Sequence, residues 1–94
     1  MILERDVERR LVSEVGKMGG WCVKFIPDNM RGMPDRLCLF PGGRILWVET
    51  KRPEGGRLAP MQVHRHRQLR SLGFEVAVCW TEDDVLKVLT EMSR

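Results

Sequence analysis

Apolar residues recur along this chain in two different rhythms, and the switches between them lay out its elements. Val7, Leu11, Val15 and Met18 return every three or four positions, which predicts an amphipathic helix from about Glu4 to Met18, stopped by Gly19-Gly20. From Trp21 to Ile26 the pattern alternates, with Trp21, Val23 and Phe25 on one side and Cys22, Lys24 and Ile26 on the other, the period of a strand. Two further apolar runs, Leu37-Cys38-Leu39-Phe40 and Ile45-Leu46-Trp47-Val48, are joined by Pro41-Gly42-Gly43 and read as a hairpin. Pro60 suits the first turn of a helix reaching about Leu72, with Met61, Leu69 and Leu72 marking its buried side and Gly73 closing it. Phe74 to Trp80 reads as a strand. Thr81, with Asp84 three residues on, caps a last helix whose stripe is Val85, Val88, Leu89 and Met92. The order α-β-β-β-α-β-α predicts an α/β fold, a mixed sheet flanked by helices, whose last strand joins after a helical crossover.

The hairpin also aims the chemistry. Its second arm ends in Glu49-Thr50-Lys51, and strand alternation sends Glu49 and Lys51 to one face with Thr50 reversed. Asp35 precedes the first arm. A three-residue loop, Pro41 to Gly43, pairs Phe40 with Arg44 and sets Asp35 opposite Glu49; a two-residue Gly42-Gly43 loop would turn Asp35 to the other face. The three-residue register is the expectation. Two carboxylates held close together repel, which a divalent cation between them relieves, and hard oxygen ligands suit Mg²⁺ or Mn²⁺. In the first helix Glu4 and Glu8 both fall within the apolar sector. Glu4 is explained by the first turn, where negative charge suits the helix dipole, whereas the deeper Glu8 is the candidate functional acid.

Composition narrows the setting. At 94 residues, with 43% hydrophobic and 31% charged, the chain is expected to make one soluble, cytoplasmic domain without a membrane span, and its charged N-terminus has no signal-peptide character. Cys22, Cys38 and Cys79 each lie in an apolar run and read as small buried hydrophobes. Paired zinc spacing is absent, and His64 and His66, two apart, fall on different sides of a helix. The net charge of +3 favours an anionic partner. Its distribution is more telling, since Arg31, Arg36, Arg52 and Arg57 flank the acids while His64, Arg65, His66, Arg67 and Arg70 crowd one helix, which points to phosphate.

Together these residues suit metal-assisted phosphodiester hydrolysis. Asp35 and Glu49 would hold the ion with the Thr50 backbone carbonyl, and Lys51 would orient the attacking water and offset charge on the phosphate. Glu8 would reach the ion through water, Gln62 would fold back over the site from the second helix, and Lys24 is a further basic residue that could face it. The competing reading is a surface strand that happens to end in a Glu and a Lys.

The run Gly32-Met33-Pro34-Asp35-Arg36-Leu37, with Pro41-Gly42-Gly43-Arg44, Val48-Glu49-Thr50-Lys51, Gln62 and Leu69-Arg70-Ser71-Leu72-Gly73, resembles the VRR-NUC family of PD-(D/E)xK nucleases across nearly the whole chain. The resemblance implies a PD-(D/E)xK nuclease-like fold, metal-dependent DNA cleavage and site residues Glu8, Asp35, Glu49, Lys51 and Gln62. For a chain as short as the minimal standalone members it also implies a homodimer acting on branched DNA such as the Holliday junction. A nickase or flap nuclease with the same site, or a non-catalytic nucleic-acid binder, are the rival expectations.

Overall fold

The computed structural model describes all 94 residues. Its elements follow the expected order: α1 (Glu4–Lys17), β1 (Trp21–Lys24), β2 (Arg36–Leu39), β3 (Ile45–Thr50), α2 (Pro60–Ser71), β4 (Glu75–Cys79) and α3 (Glu82–Met92). The strands make one sheet in the order β1-β2-β3-β4, antiparallel except for the β3–β4 pair, which is parallel because α2 carries the chain back across the sheet.

The hairpin adopts the three-residue loop. Leu39 pairs with Ile45 and Arg36 with Val48, the Phe40 N–H donates to the Arg44 carbonyl at 3.0 Å, and that of Gly43 donates back to Phe40 at 3.1 Å. Gly42 and Gly43 both sit at positive φ, 88° and 82°, a conformation costly for any side-chain-bearing residue. Continuing the same register one step beyond Arg36 and Val48 brings Asp35 level with Glu49.

The sheet divides its work between faces. Cys38, Leu46, Val48 and Cys79 point to the side packed by Val7, Leu11 and Val15 of α1 and by Val85, Leu89 and Met92 of α3, and this is the core. The opposite face bears Trp47, Glu49 and Lys51, and α2 covers it only in part. Leu11 is fully buried between sheet and helix, so Leu11→Ala should cost about 2–5 kcal/mol, a large share of the roughly 5–15 kcal/mol that holds a domain together. Chemical denaturation would read this as a fall in midpoint at unchanged slope.

Two expectations need correction. The first strand stops at Lys24 instead of Ile26, because Pro27 has no N–H to extend the ladder and restrains the residue before it. Phe25 still donates its N–H to the Asp35 carbonyl at 2.9 Å. The second correction is the buried side of α2. Leu69 is buried as expected, but Met61 is 45% exposed and Leu72 73% exposed, and His66, 1% exposed, takes the inward position. Gln62, His66 and Leu69 stand at i, i+4 and i+7, the true inward row. This helix faces the polar side of the sheet, so polar residues occupy the positions where an apolar stripe was sought.

The loop after β1 is seated on the start of α2. Gly32 has φ +82°, and a Cβ there would collide with the Met61 carbonyl. Only glycine permits that approach. At the other end of the molecule the Arg44 guanidinium bonds the carbonyls of Met92 and Arg94, tying the hairpin turn to the C-terminal end of α3, where a cation complements the helix dipole.

Candidate active site

Where β3 ends, strand alternation brings Glu49 and Lys51 to one side, as expected. Lys51 Nζ lies 3.9 Å from Glu49 Oε2, and the Lys51 N–H continues the parallel ladder by donating to the Cys79 carbonyl at 3.0 Å. Glu49 is only 4% exposed, an unusual depth for a carboxylate. Its Oε1 has no hydrogen-bond partner, nor has His66 Nε2, which faces that oxygen from α2 at 4.0 Å.

Asp35 is held from β3 as well. The Thr50 N–H donates to Asp35 Oδ1 at 3.4 Å and the Thr50 hydroxyl to Oδ2 at 3.5 Å. Thr50 is thus a clamp on Asp35 through its side chain as well as its backbone. Asp35 and Glu49 line one cleft of about 300 Å³ together with Gln62, Arg31, Met30 and Met33. Gln62 is turned toward its own helix start, where its Oε1 accepts the Ala59 N–H at 2.8 Å, so it both closes the first turn and borders the cleft.

The electrostatics follow from this crowding. Burial, and after it the Asp35 charge, push the Glu49 carboxyl up to about 7, with Lys51 offsetting part of the rise. Asp35 is also raised, first by burial and then by Glu8, against the lowering effect of the Thr50 N–H. His66 is shifted down, mainly by burial and then by the charges of Arg70 and Lys51. A site that disfavours its own negative charges is one a cation would relieve.

Glu8 lies on the α1 side and bonds Arg36, with Oε2 3.2 Å from Nε, while Arg36 Nη1 donates to the Cys22 carbonyl at 3.2 Å. The sequence placed Arg36 among the free basic residues; in the structure it is spoken for. Arg31, Arg52 and Arg57 are exposed. Arg65 is half-buried, donating to the Arg31 carbonyl at 3.0 Å and to Gln68 at 2.8 Å. Lys24 is exposed on the edge strand. The structure therefore gathers Asp35, Glu49, Lys51 and Gln62, with Glu8 bonded to Arg36 yet near enough to raise the Asp35 carboxyl.

Do these groups suit a metal? The donor chemistry does, with two oxygen-bearing acids half or fully buried and one oxygen, Glu49 Oε1, unpartnered. No three His, Cys, Asp or Glu side chains enclose a point in space. Asp35 and Glu49 would therefore supply only part of a shell, as the protein commonly does for Mg²⁺, which keeps the remainder for water and phosphate.

No family model matches the sequence. The chain is, however, 43% identical over 83 residues to "Putative nuclease p44" of Acyrthosiphon pisum secondary endosymbiont phage 1, covering 88% of each chain. A solved structure described as a VRR_NUC domain superposes with a TM-score of 0.87 at 29% identity, covering 93% of this chain and 94% of that one. The chain belongs to the VRR-NUC family. Its sheet, its three helices and their order are those of a VRR-NUC nuclease fold. No helix in this VRR-NUC chain is long and apolar enough to cross a membrane.

Two participants escaped the sequence reading, the Thr50 hydroxyl and His66. His66 was legible in principle, since it stands four residues after Gln62 and three before Leu69. The apolar spacing of Met61, Leu69 and Leu72 drew attention to the wrong row.

Proposed function

We propose that this VRR-NUC chain is a metal-dependent endonuclease that hydrolyses phosphodiesters in branched DNA, acting as a homodimer on four-way junctions. The observation that carries the reading is the buried Glu49, its carboxylate level with Asp35 across the hairpin and 3.9 Å from the Lys51 ammonium. A structural ion pair does not need a nearly inaccessible acid beside a second one.

Asp35 and Glu49 would hold Mg²⁺ or Mn²⁺, with the Thr50 carbonyl as a further oxygen ligand and Glu8 contributing through water. The ion supplies Lewis-acid polarisation of the phosphoryl group and makes water a competent nucleophile at neutral pH. Lys51 orients the attacking water and compensates charge that builds on the phosphate oxygens. The water oxygen bonds to phosphorus and releases a proton to solvent, the bond from phosphorus to the departing sugar oxygen breaks, and that oxygen takes a proton from solvent in return. Gln62 hydrogen-bonds the water from the wall of the cleft, and Thr50 keeps Asp35 from swinging away.

Arg31, Arg52 and Arg57 are the free charges for DNA phosphates, with Arg65 behind them. Arg36 contributes mainly by fixing Glu8. Arg31→Ala and Arg57→Ala should each weaken binding and reduce the slope of log K against log salt by roughly 0.9 if each meets one phosphate of duplex DNA. Unchanged slopes in a fluorescence-anisotropy titration would remove them from the interface.

Two symmetric incisions require two sites, which a two-fold pair provides. Trp47 is buried, 8% exposed, and packs against Phe25 with ring centroids 5.2 Å apart, so it belongs to the fold and not to a contact between copies. Trp21, on the edge strand and 71% exposed, is the residue we assign to the contact between copies. Incubation with a four-way junction, a flap and plain duplex, with and without Mg²⁺ or Mn²⁺, tests the whole reading, and light scattering gives the oligomeric state. Paired cuts in the junction only with metal are expected. Binding without cutting under any metal would make the chain a non-catalytic binder, and preferential flap cleavage would move the substrate.

A further inference from the structure

Glu49 has two oxygens and they have different neighbours. Oε2 faces Lys51 Nζ at 3.9 Å, on the cleft side. Oε1 faces His66 Nε2 at 4.0 Å, on the helix side, and both of those atoms are buried without another partner. A buried polar group left alone is destabilising, and here two complementary ones face each other from different elements. An ionised carboxylate, the form that binds a cation, only accepts, so in that form the imidazole nitrogen is the donor. The separation exceeds an N–H···O bond by roughly 1 Å, a gap that small side-chain rotations close.

The surroundings explain why His66 holds this position. Gln62, His66 and Leu69 form the inward row of α2; Leu69 packs as an ordinary apolar residue, Gln62 closes the helix start, and His66 stands between them over β3. Being 1% exposed, it cannot serve as a surface phosphate contact, unlike its neighbour His64. Nothing in the cleavage chemistry described above uses it.

We propose that His66 is the positioning residue of Glu49: an Nε2–H donated to Oε1 fixes the plane of the carboxylate and turns its other lone pairs toward the cleft. The assignment rests on the reading of Glu49 as a cation ligand. Outer-shell hydrogen bonds of this kind orient a ligand before the ion arrives, and their loss typically weakens metal binding or activity 10- to 100-fold. His66 touches neither DNA nor the reacting atoms. Its effect on the reaction passes through Glu49.

The test compares His66→Leu, which keeps apolar bulk and loses the donor, with His66→Gln, whose amide nitrogen reaches about as far as Nε2. Mn²⁺ binding to the full-length protein is titrated calorimetrically without DNA, and the Mg²⁺ concentration for half-maximal junction cleavage is measured in parallel. His66→Leu should bind Mn²⁺ about tenfold more weakly, with the half-saturating Mg²⁺ raised in step and the KM for DNA unchanged, while His66→Gln stays near wild type. Wild-type Mn²⁺ affinity in His66→Leu, or an equal loss in both variants, would overturn the assignment, as would a wild-type protein that binds no Mn²⁺. A wild type that binds Mn²⁺ yet cuts no DNA would sink the nuclease reading alone, because the calorimetric comparison still decides the role of His66. Should His66→Leu fail to fold, the imidazole spectrum of the wild type decides: a slowly exchanging Nε2 proton that moves in Glu49→Gln supports the contact, and its absence refutes it.

Discussion

Glu49→Gln should abolish metal-dependent cleavage, by about a thousandfold or more given that one electrostatic contact to a transition state is worth roughly 10²–10³ and this change also removes a ligand. DNA binding should survive, because the substitution leaves untouched Arg31, Arg52 and Arg57, the exposed arginines proposed to meet DNA phosphates. The same substitution should leave the metal-free protein more stable at pH 8, and the sign follows from the titration. Glu49 ordinarily ionises near 4.5 and in the fold near 7, so the folded state holds a proton that the unfolded chain releases. Its contribution is fully present below about pH 4.5 and is lost as the pH rises through 7. Glutamine does not ionise and escapes the penalty. Allowing for screening by water at the mouth of the cleft, the gain at pH 8 is on the order of 1 kcal/mol, or about 4–8 °C in Tm for a domain of this size. At pH 4 the two proteins should melt together, and Mg²⁺ should raise the wild-type Tm at pH 8 but not that of the variant. Full activity in Glu49→Gln, or a Tm difference that does not depend on pH, would contradict this account.

Lys51→Ala should separate binding from chemistry. Its ammonium lies 3.9 Å from Glu49 Oε2, and in the proposed reaction it meets the water and the phosphate, so cleavage should fall by roughly 10²–10³ while the cation still binds. Lys51 also lowers the Glu49 carboxyl from the value that burial and Asp35 would give it. Without it, the acid limb of the pH–rate profile of the residual activity should move to higher pH, a shift that a purely structural lysine would not produce. Lys51→Arg keeps the charge but spreads it over a rigid plane, and should restore the limb more fully than the rate. An alanine variant with wild-type turnover would exclude Lys51 from the reaction.

Much of the fold was open to reading because its signals were local. The Val7-Leu11-Val15 stripe, the Pro41-Gly42-Gly43 turn and the Thr81 cap each depend on a few neighbouring residues, and each is found as expected, Thr81 accepting the Asp84 N–H at 3.0 Å. The shared face of Glu49 and Lys51 was likewise a matter of strand period, and the three-residue turn then set Asp35 level with Glu49. What stayed hidden depends on contacts between elements. That Arg36 would be claimed by Glu8 required knowing how α1 lies on β2, and an arginine in a basic sequence context looks free until its partner is placed. α2 misled for a related reason. Helix periodicity shows which residues share a row, but a row of Gln, His and Leu looks like a solvent face unless the surface beneath it is known to be acidic. The Thr50 hydroxyl was hidden because alternation directs it away from Glu49, and Asp35 turns to meet it.

The close approach of Gly32 to the Met61 carbonyl joins the two walls of the cleft. One wall is the segment carrying Met30, Arg31 and Met33; the other is the first turn of α2 with Gln62. With the backbones this close, a shift of one wall disturbs the other, so the width of the cleft depends on both. A bulkier residue at position 32 would pry the walls apart and misalign Gln62 with the carboxylates, lowering turnover without altering a single acidic or basic group.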